Sequence, residues 1–333
     1  MPTDAMPTDA VPTDAMPTAP TAPRRGTSPG RGVDRRTLAW SRADVPDLTG
    51  RRALVTGASS GLGAALAADL AAAGADVVLA VRDERRGEAV RDRLLAAGAR
   101  GDVTVERVDV ADLASVRALA ARVGDRPLDA LVHNAGTGGA PERSTVGGHE
   151  LMLATHVLGP HVLTHGLRDA LEAAPAGRVV TVGSAMYRLL RQRVDLTDLG
   201  AARRWSPPAQ YSATKLAQMV LARELGRRLG ADGSTVRSVV VHPNVARTPL
   251  QSGGSTPLMR ATSRVLAALM ARTVEQAVLP LLLAAVADDL PADRVLAPGG
   301  PRTDTRVVAE RHATVDDPAV GAALWAEVER LTS

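Results

Sequence analysis

The chain has 333 residues and is 45% hydrophobic, ample for a core; at about 100–200 residues per domain it holds one large domain or two small ones, and a collagen-like or wholly disordered chain is excluded. The net charge is only +4, and Arg24 to Arg36 alone carry five arginines against one aspartate, so the basic balance calls for no nucleic-acid partner. Cysteine is absent, which removes disulfides, thiolate catalysis and zinc–thiolate sites together.

The N-terminus opens on a pentapeptide repeat: Met1–Ala5, Met6–Ala10, Val11–Ala15 and a worn copy from Met16. Proline at every fifth position with few large apolar side chains cannot bury enough surface to offset ordering, so residues 1–36 are expected to be a disordered tail. A targeting or docking arm is the functional alternative, while a secretory signal is disfavoured because no apolar stretch follows the charges. From Arg52 short apolar runs alternate with Ala-rich amphipathic stretches. Arg52–Thr56, Asp76–Val81, Val103–Val108, Asp129–His133, Arg178–Gly183 and Thr235–His242 read as six strands, and their alternation with helices predicts βαβ units on a parallel sheet. The expected fold is α/β: a single Rossmann-type, doubly wound, three-layer domain over residues 37–333. Ser252–Arg272 interrupts the alternation and is expected to form a helical flap over the site. The longest clean apolar run, Ala277–Ala287, spans 11 residues against the roughly 20 that cross a bilayer, so no membrane span is expected and the cytoplasm is the default location. Pro318–Leu331 sets Val320, Leu324, Val328 and Leu331 on one helical face, which would dock on the body.

The first predicted strand runs into Thr56-Gly57-Ala58-Ser59-Ser60-Gly61-Leu62-Gly63, ahead of a helix. Glycines there let the backbone turn tightly and approach a pyrophosphate, whose charge free N–H groups at the helix start would hold; a plain strand-to-helix connection is the bland alternative. At the end of the second strand, where an acidic residue would bind the adenosine ribose, the chain reads Val81-Arg82-Asp83. An arginine can pair with a 2′-phosphate, which favours NADP(H) and leaves NAD(H) open, since Asp83 stands beside it. Asp109-Val110 follows the third strand and Asn134-Ala135-Gly136 the fourth, both at the sheet edge where open α/β folds bind ligands; either could be ordinary turn chemistry taken alone.

The sharpest signal is Tyr211-Ser212-Ala213-Thr214-Lys215. Of the 40 Lys+Arg residues only Lys215 is a lysine, and it lies one helical turn from one of just two tyrosines. A nearby ammonium stabilises tyrosinate and would lower the phenol's pKa toward the range of proton exchange; a surface i,i+4 pair is the alternative. Ser184 ends the fifth strand, where its hydroxyl could hydrogen-bond a substrate oxygen; no G-x-S-x-G elbow surrounds it. The seven histidines show no H-E-x-x-H or other clustered spacing, so no catalytic metal is expected.

With these motifs in hand the chain, from about Leu48 to its end, resembles the short-chain dehydrogenase/reductase family, and within it the branch of retinol dehydrogenases and related NADP-linked reductases. Branch-like features are Val77–Asp83, the long spacing from Ser184 to Tyr211 with Asp198-Leu199 between, Gly147, His149 and Glu150 before a helix, and Ala323-Leu324-Trp325. The resemblance implies Tyr211 as general acid or base, Lys215 on the nicotinamide ribose and Ser184 orienting the substrate carbonyl. It implies Gly57, Ser59, Gly61, Leu62 and Gly63 at the phosphates and Asp109 and Val110 at the adenine; Ser60 in the same turn and Arg82, from its place after the second strand, are further cofactor-binding candidates. Asn134, Ala135 and Gly136 would line the cofactor's middle, and Thr248 would meet the carboxamide. Two positions depart from the pattern. Asn244 replaces a glycine after Pro243, and His156 stands where the asparagine of the catalytic tetrad belongs. An imidazole there could still relay a proton, which places His156 among the catalytic candidates; a packed, non-catalytic histidine is the equal alternative.

The expected activity is an NADP(H)-dependent oxidoreductase interconverting a carbonyl and an alcohol. The rival is a non-catalytic NADP-binding module with an impaired proton relay. A sugar-nucleotide epimerase or dehydratase is disfavoured, because that branch carries G-x-x-G-x-x-G. Leu250, Leu258, Met259 and Leu266, between Arg247 and Arg272, hint at a lipophilic small-molecule substrate, and the resemblance implies a homodimer or homotetramer.

Overall fold

The computed structural model describes residues 35–138, 145–243, 273–291, 293–299 and 306–333. Eleven strands occur among them: β1 Arg35–Leu38, β2 Arg52–Thr56, β3 Asp76–Val81, β4 Val103–Arg107, β5 Ala130–His133, β6 Thr145–Val146, β7 His149–Glu150, β8 Arg178–Val182, β9 Arg237–Val241, β10 Val295–Pro298 and β11 Val307–Glu310. Nine form one sheet in the order β1-β11-β10-β9-β8-β5-β2-β3-β4, while β6 and β7 make a separate hairpin. From β4 to β10 every neighbouring pair is parallel; β11 runs antiparallel to β10, and β1 antiparallel to β11. All six expected strands are present within a few residues of their predicted ends. The three-strand addition β10-β11-β1 is new, and Arg35 and Arg36, expected in the tail, open its edge strand.

The helices are α1 Gly61–Ala72, α2 Glu84–Ala96, α3 Leu113–Val123, α4 Leu151–Leu153, α5 Gly159–Gly166, α6 Arg168–Glu172, α7 Met186–Leu189, α8 Pro207–Ala231, α9 Val274–Ala277, α10 Leu279–Val286 and α11 Pro318–Thr332. Side chains alternate across a strand, so Leu54 enters the apolar layer shared with α3, α5, α8 and α11, while Ala53 and Val55 enter the layer shared with α1 and α10. Burial on both faces is why these strands read as continuous apolar runs. Aspartates start the helices: Asp83, Asp112 and Asp317 accept first-turn amides of α2, α3 and α11. The last helix docks as expected, with Leu324, Trp325 and Val328 buried and Val320 and Leu331 packed beside them. No helix among the described residues is long and apolar enough to cross a membrane; the run ending at Ala287 forms the fully buried α10. The expected tail apart from Arg35 and Arg36, and the expected flap with Arg247, Thr248, Leu250, Leu258, Met259, Leu266 and Arg272, lie outside the described residues.

Candidate active site

The chain reverses its direction of travel across the sheet between β2 and β5, and the glycine turn and the Asn134 loop meet at that switch point. Gly57 sits at φ +68 and Gly61 at φ +57, left-handed backbone that glycine adopts without strain. The turn is tied to the neighbouring loop. Asn134 Nδ2 donates to Thr56 O at 2.8 Å and Gly57 O at 3.3 Å, and the Asn134 and Ala135 amides donate to Thr56 Oγ1. A Cβ on Gly63 would fall 2.4 Å from Asn134 Nδ2, and one on Gly57 2.9 Å from Ala135 Cα. These glycines therefore make room for the Asn134 loop, a role the sequence motif did not reveal, and Asn134 braces the turn with its side chain.

At the start of α1, Ser60 makes no side-chain cap and the first turn holds no acid, so the amides there are open to an anion. Ser59, Ser60, Gly61, Leu62 and Gly63 surround that end. At the second strand Arg82 and Asp83 are both exposed, and Asp83 accepts the Arg86 amide at 3.3 Å as the cap of α2. Asp109 Oδ1 accepts the Ala111 amide at 3.0 Å, and Val110 is packed into the core.

Ser184 follows β8, with Oγ accepting the Met186 amide at 3.3 Å as α7 begins. Tyr211 and Lys215 project from α8. A Cβ on Gly183 would strike Met219 at 2.4 Å, so glycine at this position lets α8 lie close enough to β8 for Lys215 Nζ to donate to Val182 O at 2.9 Å. Nζ also donates to Gln218 Oε1 at 2.9 Å. A Cβ on Gly136 would lie 3.5 Å from both Lys215 Nζ and His156 Nε2, so the fold brings the lysine, the Asn134 loop and His156 together. Burial pulls the Lys215 pKa down to about 7.

Tyr211 corrects one expectation. Its phenol pKa is raised, because burial outweighs a hydrogen bond with Ser184, whereas the Tyr-x-x-x-Lys spacing predicted a lowered value. The ammonium is committed to Val182 and Gln218, and the phenol's partner is the serine.

His156 lies in a π-helical turn, Ala154–Leu158, and is fully buried; such turns recur at functional sites. The Thr137 amide donates to its Nε2 at 3.1 Å, so the ring proton is on Nδ1, which donates to Thr214 Oγ1 at 2.8 Å; that hydroxyl in turn donates to Gln210 O. Burial and then Lys215 hold its pKa well below the usual histidine value. His156 is thus a neutral brace between the Gly136 loop and α8, with both nitrogens committed.

The fold also gathers His242, Glu310 and His312 into a buried cluster of metal-ligand type, which a separation of some 70 residues in sequence conceals. Arg35 Nε meets Glu310 Oε1 at 2.7 Å and Arg188 Nη1 meets Oε2 at 3.4 Å. Arg188 Nη2 donates to His312 Nε2 at 2.8 Å, which leaves His312 Nδ1–H for the Tyr187 hydroxyl. Guanidinium groups thus already neutralise the carboxylate and occupy the imidazole lone pair. Sequence reasoning also missed Gln218 and Thr214; Gln218, three residues past Lys215 on a predicted helix, was open to the i,i+3 rule.

The family described as short chain dehydrogenase matches residues 51–193. Polyprenol dehydrogenase of Mus musculus is 36% identical over 294 residues, covering 86% of this chain and 85% of that protein. Retinol dehydrogenase 13 of Homo sapiens is 32% identical, covering 87% and 86%. Among solved structures, an uncharacterized protein from Mycobacterium paratuberculosis superposes with TM-score 0.71 at 35% identity, covering 88% of this chain and 97% of that one. A gluconate 5-dehydrogenase-like protein from Beutenbergia cavernae, described with bound NADP, gives TM-score 0.56 at 28% identity, covering 72% and 91%. The chain belongs to the short-chain dehydrogenase/reductase family, in its retinol dehydrogenase-like branch. That makes it an oxidoreductase acting between CH–OH and C=O.

Proposed function

We propose that this protein is an NADP(H)-dependent oxidoreductase that interconverts a lipophilic alcohol and its carbonyl, with Tyr211 exchanging the proton. The observation that carries the reading is the convergence of Ser184, Tyr211 and Lys215 on the sheet edge beside the glycine turn. The residues suit the cofactor: the open α1 amides would take the pyrophosphate and Arg82 a 2′-phosphate, while Asp83 is spent on its helix cap. The Beutenbergia neighbour described with NADP supports the same choice. When bound, the nicotinamide supplies or accepts the hydride.

The protein's own residues manage the oxygen. In reduction the Tyr211 O–H bond breaks as its proton passes to the carbonyl oxygen, and oxidation reverses the transfer; Ser184 hydrogen-bonds that oxygen and opposes charge building there. A phenol whose pKa is raised stays protonated at neutral pH, which suits it to act as the acid in reduction. Leu189, the last residue of α7, and Leu190 after it are 79% and 45% exposed a few residues past Ser184; they would offer apolar surface to a lipophilic substrate, in keeping with relatives named for retinol and polyprenol.

A panel of short and long-chain aldehydes and ketones, followed by NADPH and NADH oxidation, tests the reading. We expect turnover with NADPH favouring the longer substrates, and at least a tenfold loss of NADPH affinity in Arg82→Ala, about 1.4 kcal/mol, with NADH unaffected. The second reading, a dinucleotide-binding module without turnover, draws on the committed nitrogens of His156. Tight NADPH binding with no oxidation on any carbonyl favours it.

A further inference from the structure

Lys215 is the only lysine of the chain and is buried at 4% exposure. Among the described residues no carboxylate pairs with it. The groups facing it are Val182 O from β8, Gln218 from its own helix, His133 from β5 and His156 from the π-turn, with Tyr211 one turn earlier on α8. Both histidines are neutral: burial and then the lysine's own charge push His133 down to about 3 and His156 well below its usual value. Among the described residues the ammonium is held only by neutral acceptors, and Gln218 Oε1 is the one side-chain acceptor it has there.

Beside Gln218 lies a small pocket, partly open to the surface. Its volume is about 40 Å³, more than the roughly 10–15 Å³ one water needs. His133 and Gln218 both line it. Thr164 gives its hydroxyl proton to Pro160 O, so His133 Nε2 must be the donor to Thr164 Oγ1 at 2.8 Å, which leaves His133 Nδ1 as a bare acceptor. Neither His133 Nδ1 nor Gln218 Nε2 makes a hydrogen bond within the protein, although both are buried. One is a donor without an acceptor, the other an acceptor without a donor, and buried groups of this kind are met by water.

We propose that Gln218, with a water in the pocket it shares with His133 as its second partner, is the positioning residue that holds the Lys215 ammonium charged and aligned toward the Gly136 loop. The amide cannot flip without turning its NH₂ on the ammonium, and a water on Gln218 Nε2 would oppose that flip. The device deepens the catalytic reading above and takes its purpose from it, but its test needs no substrate.

Because the chain has a single lysine, full-length protein labelled with ¹³Cε,¹⁵Nζ-lysine gives one side-chain resonance whose pH titration reads Lys215 directly. We expect a wild-type midpoint about 7. Gln218→Glu places an anion on the ammonium and should raise the midpoint by at least ~1 unit, whereas Gln218→Leu removes the acceptor and should lower it by at least ~0.5 unit. His133→Leu should lower it by less than Gln218→Leu. Gln218→Met serves in place of any Gln218 variant that fails to fold. Midpoints within about 0.2 unit of wild type in the folded Gln218 variants overturn the proposal. A protein inert toward every carbonyl but shifted in these directions would overturn the catalytic reading and leave the lysine assignment standing.

Discussion

Two buried polar clusters flank the end of β8, each with one of the chain's two tyrosines, and they treat charge in opposite ways. Around Tyr187 the carboxylates are paired: Glu310 is met by Arg35 and Arg188, and Asp316 by Arg223. Burial alone would raise the Glu310 pKa, but the cationic surroundings, Arg35 among them, hold it far below the carboxylate range. Around Tyr211 a single cation, Lys215, is met by a carbonyl, an amide and two neutral histidines, and burial pulls its pKa toward neutrality. The compensated charge is locked and ties β1, β11 and the α7 turn together. The uncompensated one is poised to change protonation near physiological pH, which is what a site handling protons requires.

The contrast is broken most sharply by the two tyrosines. Tyr211→Phe should lower turnover about 10³-fold, with a melting temperature close to wild type. Tyr187→Phe should leave turnover within a few fold and cost about 1 kcal/mol through the hydrogen bond lost at His312. Equal losses of activity in the two variants would erase the distinction.

Next in size is Glu310→Gln, which strands guanidinium charge and should destabilise the fold by about 3 kcal/mol at pH 7 in denaturant unfolding, solvent screening of the half-exposed Arg35 limiting the cost. The carboxylate's folded pKa lies below its unfolded value, so its contribution is present above the unfolded value near 4.5 and fades as pH falls toward the folded one. The gap between wild type and variant should close in acid.

Lys215→Met should act in the other direction, removing an uncompensated buried charge and stabilising the fold at pH 7 by on the order of 2 kcal/mol while turnover is lost. The lysine's folded pKa, about 7, lies below its model value of 10.5, so the unfolded chain binds the proton more tightly. The penalty is complete below pH 7 and is relieved as pH climbs toward 10.5. Melting temperatures of wild type and variant should therefore converge over that interval; parallel curves would mean that the lysine's charge costs the fold nothing.

The cofactor half of the molecule was legible in sequence because its signals are local. Apolar runs bounded by turns marked β2, β3, β4, β5, β8 and β9, and a turn of glycines followed by a helix marked the switch point. Tyr211 and Lys215 were legible because a helix fixes residues four apart on one face. The Glu310 cluster was not, since its members come from Arg35, the α7 turn, the end of β9 and the region of β11, and only sheet pairing puts Arg35 opposite Glu310. The short strands β10 and β11 carry four residues each, too few for periodicity to separate them from loops. His156 could be read either as a relay or as a packed side chain; the donors at Thr137 and the acceptor at Thr214, which settle its tautomer, come from other segments.

The central claim is that hydride reaches a carbonyl carbon at the crevice where Tyr211 supplies the proton. NADPH carrying deuterium at the transferable C4 position, incubated with wild type and an aldehyde it accepts, tests this by mass spectrometry and NMR of the alcohol formed. The account predicts one deuterium on the carbinol carbon with wild type and product at about a thousandth of that rate with Tyr211→Phe. An alcohol free of the label, or one formed equally fast without the phenol, would contradict it.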